Sequence, residues 1–190
     1  MKIFIKSILF IFLVFTLHNS FAQTLNANWK TDLSSSLDEF IKCSGSNDDS
    51  NDCKVYTAKS LNVVYKVNDF YSEDQGRYLY VNEIAELLNN NDKWTLMGKC
   101  YDQKVLSEGQ TLANSKKATI AVYRNEEGVG MHIALILPGE LISSGTWGLQ
   151  VPNTMSFFTN TPDKSFVGKG LSYAFSKSQI KDIVLYKRNY

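Results

Sequence analysis

The apolar positions of this chain follow two regimes. Up to about residue 113 they recur at helical spacing, and beyond Asn114 they come in short, β-branched runs. Leu33, Leu37, Phe40 and Ile41 stand at i, i+4, i+7 and i+8, with Thr31 or Asp32 available as a cap, which predicts a helix over Thr31–Lys42. After the polar loop Ser44–Asp52, the spacing of Val55, Ala58, Leu61, Val64 and Tyr65 predicts a second helix opened by Cys53 and running to Val67. Val81, Ile84, Ala85 and Leu88 predict a third over Tyr80–Leu88, ended by three asparagines. A fourth covers Asp102–Ala113 despite Gly109 inside it.

Ala118–Arg124 and His132–Leu137 read as strands, and the turn formers of Asn125–Gly130 make them an antiparallel hairpin. Trp147–Val151 and Ile183–Tyr186 are further strands. No repeat at a solenoid period interrupts the order. Helices followed by an antiparallel sheet predict an α+β domain, the N-terminal helices packed on the sheet.

The first 22 residues stand outside this pattern. Lys2 and Lys6, the apolar run Ile8–Leu17 and Ser20-Phe21-Ala22 form a secretory leader cut before Gln23. The run is too short to span a bilayer, so no stable membrane anchor is expected. The remaining domain, 23–190, suits one hydrophobic core and a secreted or periplasmic destination. Loss of two lysines moves the formal charge from +1 to −1. Nucleic acid is excluded on that ground, since its affinity rests on cationic neutralisation of phosphates.

Three cysteines are too few for a disulfide-built scaffold, and their odd number leaves at least one thiol over. One histidine, His132, survives removal of the leader. Cys53 at a helix start would face unpaired N–H groups and the positive end of the helix dipole, which favours the thiolate. An imidazole on a neighbouring strand would take its proton and hand it to a leaving amine. Two alternatives stand beside that pairing. Cys43 heads the triplet Cys43-Ser44-Gly45, but the polar stretch after it offers no helix to hold a nucleophile. A Cys43–Cys53 disulfide closing the polar loop would suit an oxidising compartment. Cys100 reads as a buried structural thiol or as Cys43's partner. His132 itself reads equally as a hydrogen-bonded core residue.

Asp52-Cys53 before a helix and Gly130-Met131-His132-Ile133-Ala134-Leu135 on a strand resemble the NlpC/P60-type branch of papain-like cysteine amidases. The resemblance spans Asp52–Val151. It implies a papain-like core and a hydrolase cutting amide bonds in peptidoglycan stem peptides, with Cys53 as nucleophile and His132 as base. Cell-wall peptide is then the substrate, and a protein inhibitor is a further partner. The resemblance also implies a third residue that orients the imidazole, about a dozen positions beyond it. That count points to Ser144, while Gln150 and Asn153 have longer side chains and an asparagine is the familiar orienter. No cofactor is implied. Gly168-Lys169-Gly170-Leu171-Ser172 lacks the spacing of a phosphate loop, and the lone His and scattered Cys lack zinc-ligand spacing. Trp147 beside Gly148 reads as a cleft wall, although a tryptophan in a strand is more often core. Without the thiol chemistry, the same α+β core reads as a non-catalytic exported binding or inhibitor protein.

Overall fold

The computed structural model describes residues 24–45, 51–124 and 131–190. The expected leader, residues 46–50 of the expected polar loop, and residues 125–130, expected as the hairpin turn, lie outside the described residues. Helix α1, Trp29–Gly45, buries Trp29, Leu33 and Phe40 on one stripe. A 3-10 turn, Asn51–Val55, leads into α2, Tyr56–Tyr65. The single helix expected from Cys53 is thus divided, and Cys53 lies in the turn, ahead of the α-helical N-terminus. Lys66 closes α2 in the left-handed conformation (φ 54°), its N–H bonded to Asn62 O. A short ribbon, β1 Tyr71–Ser72 and β2 Arg77–Tyr78, precedes α3, Val81–Asn90. Strand β3, Trp94–Lys99, leads to α4, Gln103–Asn114, whose N-cap Asp102 accepts from Lys104 N at 2.8 Å.

The expected hairpin pair is present as β4, Thr119–Arg124, and β5, Met131–Ile136, antiparallel with Tyr123 opposite His132. Next come β6, Ile142–Ser144, and β7, Leu149–Val151, which pair only with each other. Strands β8, Asn153–Ser156, β9, Phe166–Gly170, and β10, Ile183–Arg188, complete the chain. The main sheet is six-stranded and antiparallel, in the order β3-β10-β4-β5-β8-β9. The architecture is therefore α+β, with four α-helices among the described residues.

Strand alternation decides what each face meets. On β5, Met131, Ile133 and Leu135 point to one face and His132, Ala134 and Ile136 to the other. The first face carries α1, α2 and α3. Phe157, just past β8, lies 4.8 Å from Phe40 of α1, ring to ring, and Ser60 of α2 meets Met155 Sδ at 3.5 Å. The second face carries α4. Leu185 pairs with Ala121 and Ala121 with Ala134, so all three share that face. Gly109 of α4 lies so close that a Cβ there would stand 2.5 Å from Leu185 Cδ2. This explains the glycine inside a helix: α4 lies flat on the sheet only where it has no side chain. Gln110 donates to Leu137 O and accepts from Asn153 N, fixing α4 lengthwise.

The far end of the first face is closed by an ion pair. Asp69, its side chain 7% exposed, accepts from Arg188 Nε at 2.6 Å and Nη2 at 3.0 Å, and from Trp94 Nε1 at 3.2 Å. Phe70 stacks on Trp94 at 5.2 Å. Together these bind the segment after α2 to β3 and β10.

Candidate functional site

A cavity of about 150 Å³ opens where the 3-10 turn, the first turn of α3 and the start of β5 converge. Phe40 and Phe157 form an aromatic wall, and Met131 and Val81 add apolar surface. Lys54, Thr57, Asn82 and Thr159 contribute polar groups. The rim at Tyr80 is held rigidly. Arg77 donates to both oxygens of Glu83, at 2.7 and 2.8 Å, and its guanidinium lies 3.9 Å over the Tyr80 ring. Glu83 also accepts from Tyr80 N at 2.7 Å, and the Arg77 hydrogen bonds hold its carboxyl below the ordinary value.

Cys53 and His132 both border this cavity, but the structure does not assemble them into a catalytic pair. Cys53 is bonded to Cys43, with Cα atoms 5.8 Å apart, and so carries no thiol proton and no thiolate. The disulfide weighed as an alternative is the arrangement found. Cys100 is the free cysteine, fully buried, its thiol pushed well above the ordinary range by burial.

The imidazole also faces the other way. His132 Nε2 and Ser156 Oγ share a hydrogen bond of 2.6 Å, and the ring stacks on Phe158 at 4.5 Å with Phe175 edge-on at 5.4 Å. Ser156 and Phe158 alternate with Met155 and Phe157, which meet α2 and α1. The His132 ring therefore sits on the sheet face opposite Cys53's helix layer. Burial drives its pKa from 6.5 down to about 4, so it is neutral at pH 7. Ser156 is fully buried and His132 partly buried, and their hydrogen bond lies against the Phe158 and Phe175 rings.

Neither expected third residue reaches the imidazole. Ser144 lies in the β6–β7 hairpin, where its Oγ accepts from Trp147 N at 3.2 Å. Asn153 donates from Nδ2 to Pro138 O at 3.1 Å, and its backbone N–H goes to Gln110. Gln150 is engaged through its backbone, which exchanges hydrogen bonds of 2.9 Å with Gln103. Ser156 takes the orienting position because β5 pairs with β8 and not with the β6–β7 hairpin. Leu135 opposite Met155 sets that register, which puts Ser156 opposite Ala134, one step from His132. The signal in the sequence was the alternation Asn153-Thr154-Met155-Ser156, obscured by Pro152 just before it. Trp147 is buried.

Among the described residues, no group of three or more His, Cys, Asp or Glu side chains could hold a metal ion, and no helix is long and apolar enough to cross a membrane. Comparison with known proteins adds no assignment: no family model and no curated protein matches this chain.

Proposed function

We propose that this protein is a non-catalytic, exported binding module whose ligand seat is the cavity beside Cys53. One observation carries the reading: the sulfur that would attack is bonded to Cys43, and the only imidazole of the mature chain is turned to the opposite face of the sheet. A disulfide closing a polar loop fits an oxidising compartment, as does the leader read from the sequence. The seat, with aromatic walls and a few polar groups at its mouth, has the make-up of a site for a small apolar group of a larger partner. Cell-wall peptide is the partner class that the NlpC/P60 resemblance supplies.

The cysteine amidohydrolase reading, on a papain-like core, has one observation in its favour, namely that Cys53 and His132 border the same cavity. It requires reduction of the disulfide and a change in which face β5 presents. Both readings meet in one experiment. Purified protein, with and without reductant, is incubated with insoluble peptidoglycan beside Cys53→Ser. The pellet is assayed for protein and the supernatant for released peptides by mass spectrometry. Sedimentation without release supports the module. Release by reduced wild type that is absent in Cys53→Ser would establish the amidase and end the binding reading. Neither sedimentation nor release would remove the cell wall as the ligand.

A further inference from the structure

We infer that the uncovered part of the first sheet face is a second ligand site, for a small zwitterion with an aliphatic side chain, of the free amino acid or dipeptide kind. The helices α1, α2 and α3 cover the β5–β8 side of that face and leave a depression of about 220 Å³ over β3, β10 and β4. Val122, Val184 and Tyr186 form its apolar floor, and Lys99, Arg124 and Asp182 stand around it. The register explains the convergence. Lys99 is opposite Val184 and Val184 opposite Val122, while Ile183 is opposite Tyr123, which sets Asp182 beside Arg124. Lys99 and Arg124 thus flank β10 from the two neighbouring strands.

The three charges do not neutralise one another. None of Lys99, Arg124 and Asp182 takes part in an ion pair among the described residues. Arg124 is steadied by a hydrogen bond from Nη2 to Ala85 O of α3, which holds the guanidinium at the edge of the depression. Two cations and one carboxylate around an apolar floor match a ligand with one carboxylate, one ammonium and a hydrocarbon side chain. A simple anion would leave Asp182 unmatched, and a simple amine would be repelled by Lys99 and Arg124. This site lies apart from the cavity beside Cys53, and the inference does not depend on the reading of that cavity.

The test is calorimetric or NMR titration of the purified protein with L-leucine, the dipeptide Leu-Leu, N-acetyl-L-leucine and L-leucinamide. Leucine or Leu-Leu should bind about tenfold more tightly than either blocked compound, since each charge-assisted contact is of that order. Asp182→Asn should reduce the zwitterion's affinity to that of N-acetyl-leucine while leaving N-acetyl-leucine no weaker. Lys99→Gln, at an exposed position whose side chain joins no ion pair among the described residues, should weaken leucine and N-acetyl-leucine while sparing leucinamide. The tighter of leucine and Leu-Leu tells which source fits. Equal binding of all four probes, or none up to roughly 10 mM, would overturn the inference.

Discussion

The disulfide gives the sharpest prediction, because its role separates a structural cross-link from a stored nucleophile. Cys43 and Cys53 are 10 residues apart and close a polar loop that has few apolar side chains of its own. In the chain-entropy treatment, a loop of that length restrains the unfolded state by about 2.7 kcal/mol at 25 °C. Cys43→Ser, Cys53→Ser and the double variant should each lose this amount, since each breaks the same bond. The double variant should therefore cost about as much as one single variant, not twice as much. Cys53 is 9% exposed and Cys43 is half-buried, so the Cys53 variant should be the worse, by about 1 kcal/mol for a serine hydroxyl placed in the core. For a domain of this size the common loss corresponds to a fall in Tm of about 5–11 °C. Urea unfolding of the three variants, and of wild type with and without reductant, measures it. Single variants within 0.5 kcal/mol of wild type, or a double variant at the sum of the singles, would refute the reasoning.

Three other predictions follow from the core. His132 has a folded pKa of about 4 against 6.5 unfolded, and burial is the cause; the groups in contact with its ring, Ser156, Phe158 and Phe175, carry no charge. The unfolded chain therefore binds the extra proton first. Stability is full above pH 6.5 and falls by up to about 1.4 kcal/mol per pH unit down to pH 4. His132→Gln should flatten that dependence in urea midpoints taken at pH 7 and pH 5, and an unchanged slope would contradict the buried neutral ring. Asp69→Ala strands Arg188 and the Trp94 Nε1–H in a largely buried place and should cost about 3–5 kcal/mol; chemical denaturation showing under 1 kcal/mol would mean the pair is solvated. Gly109→Ala sets a gain of about 1 kcal/mol in helix propensity against a Cβ 2.5 Å from the fully buried Leu185. Overpacking should win, with a net loss of about 1 kcal/mol; a raised Tm would show that α4 can lift off the sheet.

Local patterning fixed much of the secondary structure. The period of Leu33, Leu37 and Phe40, the Asp102 cap and the β-branched runs on either side of residues 125–130 act through nearest neighbours, so α1, α3, α4, β4, β5 and β10 stand close to where the sequence puts them. Strands β3, β8 and β9 were not legible. β3 breaks alternation at an irregularity opposite Leu185 and Tyr186, and β8 begins right after Pro152. The site residues divide in the same way. That Cys53 and His132 come to one cavity followed from their places at the start of a helical stretch and a strand. That they do not meet was decided by two non-local facts. Cys43 comes within bonding distance of Cys53 across a loop, and the pairing of β5 with β8 sends the imidazole to Ser156 on the far face. A strand's sequence states which residues alternate, but only its neighbours and the layers above and below decide which face each set sees. The sequence thus determined the elements and the candidate chemistry, and the tertiary structure alone decided that the Cys53 sulfur is spent in a cross-link and that the imidazole bonds to Ser156.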